Sequence, residues 1–253
     1  MRTVLVTGSA SGLGAALTSG LRDRGQRVIG LDIREADIVA DLGTVDGRET
    51  AVAGVLDLCG GTLDGVVSCA GLGPYEQPEP IISVNYFGAI AMLDRFRDAL
   101  AGGDAPAAVA ISSVGEAFPQ IVPDGVLEAC HAGDEKRARE LLAPTNGNTA
   151  YVSAKRALAQ AARRRATEWG ERGIRLNTVA PGKMETPMLD ALLADEASAP
   201  AIHGMRVPLG RSAPAAEIAK AVLYLLGPDA SYVHGQLLFV DGGSEAVVRP
   251  DEV

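Results

Sequence analysis

Short apolar runs alternate with longer stretches of helical periodicity along almost the whole chain, and this alternation constrains the fold more than any other feature. Thr3–Thr7, Arg27–Asp32, Gly65–Ser68, Ala107–Ser112, Arg175–Val179 and Leu237–Val240 read as strands. Gly14–Arg24, Asp46–Cys59, Asn85–Ala99, Tyr151–Arg172 and Pro214–Leu226 read as the helices between them. Strands joined through helices run parallel, and a parallel sheet buries both faces. The expected architecture is therefore α/β: a doubly wound, Rossmann-type parallel sheet in a three-layer α/β/α sandwich. A length of 253 residues with 47% hydrophobic residues suits one such domain, spanning 1–253, and no repeat, linker or low-complexity tract divides it.

Composition then removes several classes of function. A formal charge of −9 repels a phosphate backbone, so nucleic acid is not an expected partner; Arg163-Arg164-Arg165 reads as a solvated helix face. A strand beginning at Thr3 leaves no room for a signal peptide, and no apolar run suits a bilayer, so no membrane partner and a cytoplasmic location are expected. Cys59, Cys69 and Cys130 lack the spacing of a disulfide framework or a zinc site and read as packing residues. His131, His203 and His234 lie too far apart in sequence to suggest a metal triad, so no metal is expected.

The first strand runs into Thr7-Gly8-Ser9-Ala10-Ser11-Gly12-Leu13-Gly14. Glycines at a strand-to-helix turn let the backbone bend sharply and approach a pyrophosphate, which then sits on the positive helix N-terminus. Gly8, Ser11, Gly12, Leu13 and Gly14 are accordingly candidate cofactor contacts. Asp32 ends the second strand, 18 residues beyond Gly14, where a carboxylate accepts hydrogen bonds from adenosine-ribose hydroxyls and repels a 2′-phosphate. That favours NAD(H); Arg34 nearby keeps NADP open, and a plain strand-end carboxylate is the structural alternative.

Tyr151-Val152-Ser153-Ala154-Lys155 supplies the chemistry. A spacing of four puts both side chains on one helix face, about 5–6 Å apart at Cβ. A phenol with a pKa near ~10 is a weak base at neutral pH, and bringing it to ~7 takes roughly 4 kcal/mol. Lys155 and a positively charged nicotinamide favour the phenolate, and the lysine can also hold the nicotinamide ribose. Ser113, at the end of the fourth predicted strand, reaches the same carboxyl-edge crevice, where its hydroxyl can hold a substrate oxygen.

The glycine spacing, Tyr151/Lys155, Ser113 and two further motifs, Pro181-Gly182-Lys183-Met184-Glu185-Thr186 and Val240-Asp241-Gly242-Gly243, together resemble the short-chain dehydrogenases/reductases over residues 3–243. The resemblance implies an NAD(H)-dependent enzyme that interconverts a secondary alcohol and a ketone, with Asn85, Ser113, Tyr151 and Lys155 as the catalytic tetrad. Asn85 would bend its helix and hold a water on a proton relay behind the lysine; a helix cap is the alternative. Asp41 and Leu42 resemble the family's adenine-contacting pair. Ala70 and Gly71 would let the backbone approach the cofactor, although Ser68-Cys69 stands where many members have two asparagines. Pro181, Gly182 and Met184 belong to the segment closing on nicotinamide, and Thr186 would bind the carboxamide.

Most members place the serine much closer to the tyrosine, whereas here 38 positions separate Ser113 from Tyr151. An insertion at about 116–147 is implied, with Val126–Leu142 read as an extra surface helix beside the site. This insertion, with Leu31–Arg34, Cys69–Pro74, Ser83–Gly88 and Ser231–Gly235, resembles the bacterial 3α-hydroxysteroid dehydrogenase/carbonyl reductase subgroup. Met188, Leu189, Leu192, Leu193, Ile202 and Met205 fit a substrate lid at about 186–210, with Ser113, Tyr151 and Met188 as substrate contacts. A small apolar alcohol or ketone is the expected partner, with coniferyl-type aromatic alcohols as an alternative. A homodimer is expected, with a homotetramer as the other option. The intact tetrad argues against a non-enzymatic NAD(H) sensor, and the four-residue Tyr–Lys spacing against an enoyl reductase.

Overall fold

The computed structural model describes residues 1–252. Its main sheet has seven parallel strands in the order β3-β2-β1-β4-β5-β6-β9. These are β1 (Thr3–Thr7), β2 (Arg27–Asp32), β3 (Ile38–Val39), β4 (Gly65–Ser68), β5 (Ala107–Ile111), β6 (Arg175–Pro181) and β9 (Leu237–Val240). Two more, β7 (Met184–Glu185) and β8 (Ala213–Pro214), form a small separate pair. The central strands β1, β4 and β5 are buried almost end to end, as a sheet covered on both faces requires.

One apolar layer packs Leu17, Leu21, Val222 and Leu226, from α1 (Gly12–Arg22) and α11 (Ala215–Leu226), against Val4, Val6 and Val109. The other contains Trp169, Phe96 and Leu93 and is built from α2 (Val45–Cys59), α4 (Ala89–Ala101), α7 (Gly147–Arg164) and α8 (Ala166–Glu171). Strand order reverses between β1 and β4, and the crevice outside the strands' carboxyl ends at that reversal is where doubly wound sheets bind ligands.

Several boundaries differ from the sequence reading for identifiable reasons. β3 is two residues long, too short to leave a periodic signal. The expected helix 151–172 is two helices that break at Arg165, whose N–H is shared between the Ala161 and Ala162 carbonyls. Arg165 is not a solvated charge: its guanidinium grips both oxygens of Asp94 at 2.7 Å and joins α7 to α4. The helix expected from Asn85 is preceded by α3 (Pro78–Ile82) and a π-helical turn at Ser83–Gly88, and becomes regular only at Ala89.

The insertion also differs. Val126–Leu142 folds as two helices, α5 (Val126–His131) and α6 (Glu135–Leu142), separated by Gly133 at φ +74°. Nor are they purely a surface feature, since Val126, Ala129, Cys130, Ala138 and Leu142 join the main core. Glu135, on the stretch read as a surface helix, turns inward and takes two hydrogen bonds from Arg48 at 2.7 and 3.0 Å. Arg48 also donates to the Leu42 and Ser83 carbonyls, so α2, α6 and the π turn share one anchor.

Candidate active site

Loops after four parallel strands meet at the strand-order reversal. After β1, Gly8 and Gly12 adopt φ of +69° and +51°, in the left-handed region that favours glycine. A Cβ on Gly8 would lie 2.8 Å from Ala70 Cα, so the glycine loop packs directly on the loop after β4. Thr7 fixes that contact by accepting hydrogen bonds from the Cys69 and Ala70 N–H groups, each at 3.0 Å. Gly14 is required for another reason: its Cβ would collide with the Gly8 carbonyl, where α1 is pressed against the turn.

The cradle fits a dinucleotide. Ser11 caps α1 without making a side-chain hydrogen bond, and the first turn of α1 carries no acidic residue. Its positive end is therefore available for a pyrophosphate. The Asp32 carboxylate is oriented by the Ala10 and Ile33 N–H groups at 2.9 and 2.7 Å, keeping further acceptor capacity for ribose hydroxyls. Asp41 is exposed and accepts from the Gly43 N–H, while the Leu42 side chain is buried in the core.

Across the crevice, Thr186 comes within van der Waals reach of Gly12, its Cγ2 lying 3.4 Å from where a Gly12 Cβ would stand. The Thr186 hydroxyl donates to the Met184 carbonyl at 3.3 Å and accepts from the Leu189 N–H at 3.4 Å, capping α9 (Pro187–Ala194). Gly182 allows a close approach to Asp241, because any Cβ there would overlap the Asp241 backbone.

Helix α7 begins at Gly147, where Asn146 caps it and a side chain would collide with the Pro74 and Glu76 carbonyls. Tyr151 follows one turn later and Lys155 one turn beyond, with Lys155 Nζ 5.7 Å from the Tyr151 ring centre. Lys155 is only 4% exposed and donates to the Ile111 carbonyl at 2.8 Å. Burial lowers its pKa to about 8, the nearby Cys69 thiol pulling it back up. Burial pushes the Tyr151 phenol above its ordinary value, with Ser113 as a hydrogen-bond partner pulling it down and Cys69 and Tyr75 pushing it up. Lys155 alone thus does not bring the phenol toward neutrality.

Ser113 stands after β5 as the cap of a 3₁₀ turn, Val114–Ala117, its Oγ accepting the Gly115 N–H at 3.1 Å. Asn85 is fully buried in the π turn, and π turns recur at functional sites. Its amide does not cap a helix: Oδ1 accepts from the Leu72 N–H at 2.7 Å and Nδ2 donates to the Leu72 carbonyl at 2.9 Å. A Cβ on Gly71 would stand 3.1 Å from Asn85 Oδ1 and 3.5 Å from Lys155 Nζ, so Asn85, Gly71 and Lys155 form one cluster. The tetrad residues therefore converge from the π turn, the β5 end and α7.

Met188 lies on α9, which with α10 (Ala199–Gly204) makes up the helical part of the segment expected as a lid. Of the six lid hydrophobics only Leu192 is buried; Met188, Leu189, Leu193, Ile202 and Met205 remain half-buried. The sequence reading did not identify Cys69 or Tyr75 as neighbours of the tyrosine. They lie 82 and 76 positions before it, with no spacing signal to connect them.

The histidines with resolved contacts have structural partners. His234 accepts from the Leu176 N–H at 3.0 Å and faces the Ala166 carbonyl at 2.7 Å. His131 faces Gln160 at 2.9 Å. Among the described residues no group of three or more His, Cys, Asp or Glu is placed to hold a metal, and no helix is long and apolar enough to cross a membrane.

A dinucleotide cradle beside a half-buried tyrosine and a buried lysine, on a doubly wound sheet, defines an oxidoreductase. The chain belongs to the short-chain dehydrogenase/reductase family. It is 44% identical over 256 residues, with full coverage of both chains, to a 3α-hydroxysteroid dehydrogenase/carbonyl reductase of Comamonas testosteroni. It is 32% identical, covering 97% of each chain, to a cis-4-hydroxycyclohexanecarboxylate dehydrogenase of Sinomonas cyclohexanicum. The crystal structure of a 3α-hydroxysteroid dehydrogenase from Pseudomonas sp. B-0831, complexed with NADH, matches with a TM-score of 0.98 and 46% identity over all of both chains. A family model described as enoyl-(acyl carrier protein) reductase matches residues 138–245.

Proposed function

We propose that this chain is an NAD(H)-dependent 3α-hydroxysteroid dehydrogenase/carbonyl reductase. The observation that carries the reading is the convergence of Ser113, Tyr151 and Lys155 at the sheet's carboxyl edge, beside the segment 186–210, where five of the six hydrophobic residues read as a lid stay half-buried. Full-length likeness to two hydroxysteroid dehydrogenases, one with NADH in its structure, supports both substrate class and cofactor. Asp32, fixed by two backbone N–H groups at the end of β2, supports NAD(H) over NADP(H) through repulsion of a 2′-phosphate.

When bound, NAD⁺ supplies the hydride acceptor of the reaction. In oxidation, the Tyr151 phenolate takes the hydroxyl proton and Ser113 holds the same oxygen. Lys155 passes the proton on towards solvent through a water that Asn85 would hold behind it. In the reverse direction the Tyr151 hydroxyl donates its proton to the carbonyl oxygen. Gly8, Ser11, Gly12, Leu13 and Gly14 would hold the pyrophosphate, and Asp32 the adenosine ribose. Asp41 and Leu42 lie at the adenine end; Ala70 and Gly71 allow the backbone to approach the cofactor. Pro181, Gly182, Met184 and Thr186, with Tyr151 and Lys155, would border the nicotinamide end, and Met188 would meet the apolar substrate. Most of the acceleration is positional and electrostatic.

Leu238, exposed on β9, the strand that ends the sheet and leads into α12 (Ser244–Val248), supports a homodimer formed through that edge. The α5 and α6 helices pack against α7 and α3, which supports the β9 edge over the α7 side as the interface. Three free cysteines support a cytoplasmic location. NAD⁺ reduction, followed by nicotinamide absorbance with androsterone, its 3β epimer and coniferyl alcohol in parallel, tests the substrate. Turnover of androsterone alone is expected, and turnover of coniferyl alcohol alone would replace the steroid with aromatic alcohols.

A further inference from the structure

The insertion lengthens the covalent path between Ser113 and Tyr151 to 38 positions, so the relative placement of the two hydroxyls depends on non-covalent contacts. Two of those contacts lie beside Ser113 itself, Ser112 Oγ donating to the Lys155 carbonyl at 2.9 Å and Lys155 Nζ to the Ile111 carbonyl at 2.8 Å. A further set, past the serine, runs through Glu116, which no motif singles out. Glu116 closes the turn that carries the serine, its N–H donating to the Ser113 carbonyl at 3.0 Å. Its residue exposure is only 8%. Arg156, the neighbour of Lys155 on α7, donates at 2.9 Å to the Glu116 carbonyl and at 3.0 Å to its carboxylate. One guanidinium thus links the serine turn to the tyrosine–lysine helix. Gly115, between them, faces Val152, whose Cγ2 would lie 3.1 Å from a Cβ at position 115.

A second cation reaches Glu116 from the far end of the chain. Arg249 Nη1 lies 3.7 Å from the other Glu116 oxygen, and the Arg249 side chain is only 17% exposed. It is held in place by Glu245 at 2.9 Å, by Glu252 at 3.5 Å and by the face of Phe239, 5.5 Å from its guanidinium carbon. A buried carboxylate between two arginines is sensitive to the loss of either, because the remaining charges are then imperfectly compensated in a poorly solvated place.

We propose that Glu116 and Arg249 are positioning residues for the Ser113 hydroxyl, so that the C-terminal helix α12 sets the turnover of the active site through Arg249–Glu116–Arg156. The inference rests on Ser113 holding the reacting oxygen, as argued above. Displacing the serine turn removes the hydroxyl that favours the Tyr151 phenolate. The groups around that phenol are Ser113, Cys69 and Tyr75 from the surrounding loops and Lys155 along α7. Loss of Ser113's contribution moves the acidic limb of alcohol oxidation to higher pH.

The test uses the full-length enzyme with Arg249→Met, Arg249→Lys and Glu245→Gln, and Arg95→Met as control, since Arg95 pairs with Glu49 on an exposed surface. Readouts are kcat, KM for alcohol, NADH affinity by fluorescence titration, and the pH profile of kcat/KM. Arg249→Met is expected to lower kcat about tenfold, keep NADH affinity within about twofold, and shift the acidic limb upward. Arg249→Lys recovers most of the loss, Glu245→Gln gives a smaller loss in the same direction, and Arg95→Met behaves as wild type. Should Arg249→Met not fold, wild-type kcat and pH profile in both Arg249→Lys and Glu245→Gln overturn the proposal, as does a folded, fully active Arg249→Met. Ser113→Ala separates the two levels: if it is fully active the site assignment itself fails, whereas its inactivity beside an unaffected Arg249→Met defeats this inference alone.

Discussion

Replacing Lys155 with methionine should abolish turnover yet make the apoenzyme more stable at neutral pH. The lysine is 4% exposed, and its only resolved side-chain hydrogen bond is to the Ile111 carbonyl. Burial lowers its pKa from 10.5 to about 8, so at pH 7 the folded protein carries a charge it would rather release. That difference corresponds to about 3 kcal/mol of lost stability at pH 7. Methionine fills much of the same volume without the charge, but leaves the Ile111 carbonyl without its donor, which returns about 1–2 kcal/mol of the gain. A net stabilisation of about 1–2 kcal/mol is therefore expected at pH 7. The pH dependence is the sharper signature. Between about 8 and 10.5 the unfolded lysine keeps its proton while the folded one has lost it, so this contribution to wild-type stability rises with pH. The advantage of Lys155→Met must shrink across that window. Urea unfolding of both apoenzymes at pH 7, 9 and 10 measures it. A variant less stable than wild type at pH 7, or a difference that does not change with pH, would refute the reasoning.

Other sites give simpler expectations. Gly14→Ala places a methyl group against the Gly8 carbonyl, so it should lower the melting temperature and abolish the rise in melting temperature on adding NADH; a wild-type NADH shift would contradict the close packing. Asp32→Ala removes the charge that repels a 2′-phosphate and should raise the NADP⁺/NAD⁺ ratio of kcat/KM at least tenfold, with an unchanged ratio counting against the assignment. Arg48→Met removes the anchor shared by Glu135, Leu42 and Ser83, and should cost about 2 kcal/mol in urea unfolding. A loss under ~0.5 kcal/mol would mean that the insertion is held by its apolar face alone. Leu238→Arg, at the exposed β9 edge, should yield monomers in sedimentation velocity, while an unchanged oligomer would place the interface elsewhere.

Six strands and the main helices were legible because a parallel sheet writes short apolar runs between amphipathic stretches. The glycine loop was legible for a related reason, since Gly8, Gly12 and Gly14 each answer a local backbone demand that only glycine meets. Tyr151 and Lys155 share a helix, so their spacing carries their geometry. What remained hidden depends on long-range packing. Glu135 read as a surface charge because its partner Arg48 is 87 positions away. The Glu116–Arg249 contact crosses 133 positions and fits no motif. Cys69 read as a packing residue, yet in the fold its thiol, pushed up to about 12 by burial, stands within electrostatic reach of Lys155.

The central claim is that the Tyr151 hydroxyl carries the proton in an alcohol–ketone interconversion, while most of the hold on the cofactor comes from other residues. Tyr151→Phe, assayed by NADH fluorescence titration alongside androsterone oxidation, tests it most directly. The account predicts NADH affinity within about twofold of wild type and turnover lower by at least a thousandfold. Turnover near wild type, with NADH binding intact, would contradict it.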